Sequence, residues 1–498
     1  KQTGRLRIWS DLKRTVRRRP NMNSIRFSTK TIFLLVTALM LAACSWPKAL
    51  SRTQASPDAL VYPPLELKIV EPERIALKNG MALFYLEDRE LPLVNLSILV
   101  RTGSLFDPEG KEGTADLTAY LLRTGGTEKI ASDKLDKLLA NLATAPAFSM
   151  SLDSASVSFS FLKDDREICF DLLSQMLFAP AFENNKCSLA ISLKLEELRR
   201  VADNPQRLAF REFNRLLYPD DPRGRYATEA SLKKISRDDL VDFHKTFFTP
   251  GNMMIALTGD LSREEAVRLV EKYFPRSQQN IKPVAPAPPP VKSGRGVYFV
   301  QKTLSQSTVV SGEFVASKSD PDFYAFTVLD FIVGSGGFPS RIFSAVRNNE
   351  GLAYSAGSFY RARPDYGVFG TYAFTKTETT LKAIDLIDAI LLDVINGSVT
   401  QDELAWAKTS ILNSFIFSFE SPHQIAGRQM LLAYEGMPSD YMKTYRENIH
   451  AVTLGDVERV ARKYLKNGNR LVLILGDTDR LDPLPDSWGK PIRLSPEE

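Results

Sequence analysis

Ile235-Ser236-Arg237-Asp238-Asp239-Leu240, followed by Gly251-Asn252 and Gly259-Asp260, recurs in the same chain as Val452-Thr453-Leu454-Gly455-Asp456-Val457, Gly468-Asn469 and Gly476-Asp477. Every residue of the second copy lies 217 positions after its counterpart. Both copies run from a capped helix through a Gly-Asn turn into an apolar strand, Met253 to Leu257 in one and Leu471 to Leu475 in the other. Such a repeat is the mark of a duplicated domain.

Gln278 to Gly296 divides the chain nearly in half, and its Pro283-Val284-Ala285-Pro286-Ala287-Pro288-Pro289-Pro290 run cannot be helical. The reading that follows is a leader over 1–44, a tether over 45–66, an N-terminal domain over 67–276, a linker over 277–296, a C-terminal domain over 297–480 and a tail over 481–498. Each domain reads as α+β. In the first, strands flank Asn79-Gly80, and Val94-Leu96-Ile98-Val100 and Val157-Phe159-Phe161 alternate with period two. In the second, strands are expected at Val297 to Val300 and Ser307 to Val310. Helices are expected at Phe323 to Val333 and Leu381 to Ile395, and another follows the capping box Thr400-Gln401-Asp402-Glu403. Long runs of each element, with few tight βα alternations, predict two homologous domains. Each is a largely antiparallel sheet with helices packed on one face.

The chemistry hangs on Gly113-Thr114-Ala115-Asp116-Leu117-Thr118-Ala119-Tyr120-Leu121-Leu122-Arg123-Thr124-Gly125-Gly126-Thr127. This stretch resembles the zinc-binding helix of the insulinase/pitrilysin peptidases, whose motif reads His-x-x-Glu-His before a small-residue turn ending in Gly-Thr. Two imidazoles four residues apart share one helix face and grip the metal, while the Glu serves as general base on its water. Here those positions are Asp116, Ala119 and Tyr120. The frame survives in Gly113, Ala115, Leu117, Leu121, Leu122 and Gly126-Thr127, but alanine accepts no proton and tyrosine is a poor zinc ligand at neutral pH. The family's third ligand, a Glu on a later helix, falls by resemblance on Glu197, which alone reads as a solvated helix carboxylate. His244, His423 and His450 are scattered and have no i, i+4 partner, so they rescue no metal site.

The resemblance covers nearly all of residues 67 to 478 and includes the mitochondrial processing peptidase and bacterial relatives. In the latter, a motif-bearing and a motif-lacking subunit often pair into a clam-shaped chamber. Arg347 and Tyr354, in Arg347-Asn348-Asn349-Glu350-Gly351-Leu352-Ala353-Tyr354-Ser355, match the family's second-domain Arg and Gly-Leu-Ala-Tyr-Ser motif, spacing included. There the pair reaches the zinc site of the facing domain, where guanidinium and phenol donate to the peptide carbonyl as it becomes an oxyanion. Gly351 is suited to end the helix carrying Arg347. The alternative is an Arg stacked on a helix and a core Tyr. Gly334-Ser335-Gly336-Gly337-Phe338 follows a helix and lacks the Lys of a phosphate loop, so it reads as a helix stop. Asp203-Asn204-Pro205 reads as a turn.

Three functions remain open on these residues. One is a non-catalytic subunit that needs no metal of its own, binds unfolded or short peptides and lends Arg347 and Tyr354 to a zinc-bearing partner. The second is a lipid-tethered peptide-binding scaffold without a protease partner. The third is a stand-alone metallopeptidase with an atypical site at Asp116 and Glu197.

The chain has 64 Lys+Arg against 59 Asp+Glu, but residues 1–44 hold ten of those bases and one acid, leaving a net charge of −4 elsewhere. The basic balance therefore gives no ground for a nucleic-acid partner. Arg26 and Lys30 precede the apolar run Ile32 to Ala43, too short to span a bilayer and laid out as a secretory signal. Leu41-Ala42-Ala43-Cys44 resembles the bacterial lipobox, which makes Cys44 the expected acylated residue and Met22 the expected start. An ordinary signal peptide with an incidental Cys is the other reading. Ser45 after the Cys favours the periplasmic face of a Gram-negative outer membrane, with Trp46 to Pro64 as tether. Cys169 and Cys187 have the option of a disulfide in that compartment. The apolar run around Cys169 favours separate buried thiols instead.

Overall fold

Val94, Leu96, Ile98 and Val100 are fully buried while Asn95, Ser97 and Leu99 between them are half-buried, so the alternation read in the sequence builds a strand with two covered faces. The computed structural model describes residues 70–275, 287–289, 296–465 and 470–495. The leader, Cys44, the tether, most of the Pro-rich linker and Gly468-Asn469 lie outside the described residues.

The first half forms a six-stranded sheet in the order β1-β2-β6-β3-β5-β4. Its strands are β1 (Glu73–Ala76), β2 (Ala82–Glu87), β3 (Leu93–Val100), β4 (Ala147–Met150), β5 (Ala155–Leu162) and β6 (Met253–Gly259). The second half repeats the plan in the order β12-β7-β11-β8-β10-β9. Here the strands are β7 (Gly296–Gln301), β8 (Gln306–Val315), β9 (Ala353–Ala362), β10 (Gly367–Lys376), β11 (Leu471–Gly476) and β12 (Ile492–Leu494). Within each, the late strand inserts beside the first hairpin: β6 runs parallel to β2, and β11 parallel to β7. β12 also joins β7 in parallel, and the remaining pairings are antiparallel. The structure is thus α+β and twofold in design. The 217-residue repeat maps onto matching helices, Arg237–Phe247 and Leu454–Tyr464, each opened by a reciprocal capping box, Ser236 with Asp239 and Thr453 with Asp456.

Helices of each half cover one face of their own sheet around a core such as Val94, Leu96, Leu121, Phe170 and Leu257 in the first half. The opposite face of each sheet takes a helix from the other half. Pro205–Leu217, from the first half, lays Leu208, Phe213 and Leu217 on Val310, Leu473 and Leu475 of the second sheet. Phe213 settles over Gly312 of β8, where an added Cβ would come within 2.8 Å of the ring. Pro422–Tyr434, from the second half, lays Ala426 and Met430 on Phe84 and Ala256 of the first sheet. Each buried Phe or Met contributes roughly 1.5–3 kcal/mol. Both exchanged helices start alike, with proline at the first position and a capping side chain before it. Asn204 accepts from the Arg207 amide and Ser421 from the Gln424 amide. The sequence turn Asp203-Asn204-Pro205 is therefore the start of an exchanged helix.

Cys169 and Cys187 are free and buried, and burial pushes the Cys169 thiol up to about 12. His244 sits in the core against the Leu177 carbonyl at 2.8 Å. His423 lies at the start of its exchanged helix, 2.8 Å from Ser97 Oγ on β3 and 3.0 Å from Thr258 Oγ1 on β6. In the neutral imidazole one ring nitrogen accepts from a hydroxyl and the other donates to the second hydroxyl. Burial holds its pKa below the ordinary histidine value.

A depressed histidine pKa makes this contact contribute stability above the unfolded value of about 6.5, and that stability is lost as pH falls through the folded pKa. As pH drops below about 6.5, urea unfolding is expected to show the wild type losing stability more steeply than His423→Gln. Parallel curves would remove His423 from the docking contact.

Candidate functional site

The motif helix, Thr114–Thr124, begins at Gly113, whose φ of +105° places it in the left-handed region. Asp107 caps the helix from six residues upstream, accepting from the amides of Gly113 at 2.8 Å and Ala115 at 2.7 Å. Burial raises its pKa to about 6 despite those amides. Leu117, Leu121 and Leu122 fix the helix in the core, and Gly126, with φ of +74°, ends the turn beside Glu183. The frame of the motif is thus intact.

Its chemical positions diverge. Ala119 is 3 % exposed and packs as a core methyl, whereas Tyr120 is 44 % exposed. Asp116, half-buried, points to the long helix Asn184–Val201, which carries Glu197. Between them lies Lys194, one turn before Glu197. Its Nζ donates to Asp116 Oδ2 and, at 3.0 Å, to Glu197 Oε2. Partial burial works against the ammonium, but Asp116 and then Glu197 outweigh it and raise the Lys194 pKa. These residues do not fit a zinc ion: no imidazole is present, and both carboxylates already serve a tethered cation. Among the described residues, no group of three or more His, Cys, Asp or Glu is arranged to hold a metal. The spacing of Lys194 and Glu197 was visible as an i, i+3 pair, but nothing in the sequence linked it to Asp116.

A cavity of about 690 Å³ opens beside Asp116, Lys194 and Glu197. Its walls come from both halves, including Phe210 and Arg211 of the exchanged helix and Phe359 and Arg361 of β9.

Arg347 and Tyr354 form a second cluster and line no part of that cavity. Arg347 sits in a wide, π-helical turn, Phe343–Asn349, of the kind found at functional sites. Gly351, with φ of +61°, then turns the chain into β9, which carries Tyr354. The Arg347 guanidinium lies 5.0 Å from the Tyr354 ring, 4.9 Å from Phe343 and 5.5 Å from Phe338. Tyr354 is 79 % exposed and Phe338 66 %. The neighbouring Arg341 is locked to Glu403 through two bonds of 2.6 and 2.8 Å. Arg347 has no carboxylate partner among the described residues. A donor pair is therefore held together at the surface, its guanidinium fixed by aromatic rings.

The family model described as insulinase (peptidase family M16) matches residues 84–228, and the one described as peptidase M16 inactive domain matches residues 234–411. An uncharacterized zinc protease of Rickettsia bellii is 24% identical over 343 residues, covering 67% of this chain and 81% of that protein. A Helicobacter pylori protein named non-peptidase homolog YmxG is 24% identical over 379 residues, 75% of this chain and 86% of its own. The crystal structure of a peptidase M16 inactive domain from Pseudomonas fluorescens superposes with a TM-score of 0.76 at 23% identity, covering 84% of this chain and 100% of that one. The fold and the surviving motif frame define a peptidase-like protein. This chain belongs to the insulinase family, peptidase family M16.

If Lys194 stands where a metal would, removing it should create a cation site. Lys194→Ala is expected to cost no more than about 1 kcal/mol. Mn²⁺ at ~1 mM should then stabilise the variant by about 1 kcal/mol in thermal melts and leave the wild type unmoved. Equal responses of the two proteins would count against the substitution.

Proposed function

We propose that this chain is a non-catalytic subunit of a periplasmic insulinase-family zinc peptidase. It handles unfolded or short peptides and supplies Arg347 and Tyr354 to the active site of a zinc-bearing partner. The observation that carries the reading is the split between the two clusters. At the motif helix, the water-activating machinery is replaced by a methyl, a phenol and a lysine–carboxylate bridge. The Arg347–Tyr354 pair, by contrast, keeps its donors, is exposed and faces no acceptor of its own among the described residues. A guanidinium and a phenol aimed at a developing oxyanion stabilise the transition state more than the substrate.

The partner is expected to carry an intact His-x-x-Glu-His helix. Mixing the two chains should yield peptide hydrolysis that this chain does not produce alone. Arg347→Ala should lower kcat of the pair by about 10²-fold with assembly unchanged in gel filtration. Hydrolysis by this chain alone, or a fully active Arg347→Ala pair, would contradict the proposal.

Localisation forms part of the same proposal: Cys44 is acylated and tethers the subunit to the outer membrane, facing the periplasm. Cys44→Ser is expected to move the protein from the membrane fraction to the soluble periplasmic fraction and to abolish incorporation of labelled palmitate. Unchanged fractionation would remove the anchor.

A further inference from the structure

The cavity beside the motif helix carries an excess of positive charge that the fold itself leaves uncompensated. Three carboxylates line it, and each is already engaged: Asp107 with the Gly113 and Ala115 amides, Asp116 and Glu197 with Lys194. Two of its arginines are also committed, Arg223 to Asp221 and Arg363 to Asp153, both at 2.9 Å. Arg207, Arg211, Arg225 and Arg361 remain, and among the described residues none has a carboxylate within ion-pair distance.

These four come from three separate elements. Arg207 and Arg211 stand one turn apart on the exchanged helix, Arg225 lies in the loop that follows, and Arg361 projects from β9 of the other half. Like charges four residues apart on a helix repel, so the arrangement lacks a counter-anion. Aromatic rings steady the guanidinium planes: Arg211 lies 5.5 Å from the Tyr226 ring, and Arg361 lies 4.9 Å from Phe359 and 6.0 Å from Phe210. A guanidinium stacked on a ring keeps its N–H edges free for bidentate contact with a carboxylate.

We infer that this cavity binds an acidic peptide segment, its carboxylates on Arg207, Arg211, Arg225 and Arg361 and its apolar side chains on Phe210, Tyr226 and Phe359. The volume suits a few residues rather than a folded partner. Outside the leader the chain is net negative, so a nucleic acid running beyond the cavity would meet repulsion. The inference deepens the proposed function by naming its substrate class and rests on the reading of the chain as a peptide-handling subunit.

The test is fluorescence anisotropy on the mature chain with three probes. These are a short fluorescein-labelled peptide alternating Glu with Leu, its Lys-for-Glu counterpart, and a labelled oligothymidylate of similar charge. The acidic peptide should bind at least about tenfold tighter than either other probe and weaken as salt rises. The doubly substituted Arg207→Gln/Arg225→Gln chain, altered only at exposed positions, should keep its melting temperature and lose at least about tenfold in affinity for that peptide. Equal binding of acidic and basic peptides, tighter binding of the oligothymidylate, or an unaffected double variant would each overturn the inference. Acidic-peptide binding without stimulation of any zinc-bearing partner would uphold the inference while counting against the trans-acting subunit.

Discussion

Each sheet of this molecule carries an apolar patch on the face that the helices of its own half leave uncovered. The exchange of Pro205–Leu217 against Pro422–Tyr434 supplies the missing cover. Exposed sheet faces of that size would be sites of association. The crossing ties the described parts of the two halves into one compact unit. It is secured by His423 at one end of its helix and at the other by Tyr434, which lies under the Arg101 guanidinium. Because the exchanged helix that packs the second sheet also carries Phe210 and Arg211, the cavity exists only while the crossing holds.

Packing and chemistry are separable on the motif helix, and this chain separates them. Leu117, Leu121, Leu122 and the Asp107 cap require nothing of positions 116, 119 and 120. The fold therefore tolerates the replacement of two ligands and a base. What it does not tolerate cheaply is a pair of carboxylates facing one another without a cation, and Lys194 meets that need from the same helix as Glu197.

The duplication, the period-two strands, the capping boxes and the degenerate motif were all legible because each depends on residues close in sequence or on one fixed offset. Thr400 with Glu403, and Gly351 turning Arg347's helix into Tyr354's strand, are cases where local chemistry determines local structure. The exchange was hidden because the alternation of Val94, Leu96, Ile98 and Val100 with the polar Asn95 and Ser97 specifies only one buried face, and only tertiary contact shows a helix over the other. Its trace was nevertheless present: Pro205 and Pro422 lie at the same 217-residue offset as the rest of the repeat. The meeting of Lys194 with Asp116, and of four arginines in one cavity, joins residues too far apart for any local pattern to announce.

Lys194 bridges Asp116 and Glu197 at the motif helix, and the proposal that the chain has no hydrolytic centre of its own rests on that bridge. Metal analysis of the purified mature protein, after incubation with zinc and desalting, tests this most directly when run beside a peptide-cleavage assay with and without chelator. Substoichiometric zinc and no chelator-sensitive cleavage are predicted. Stoichiometric zinc retained through desalting, with cleavage that the chelator abolishes, would contradict the account.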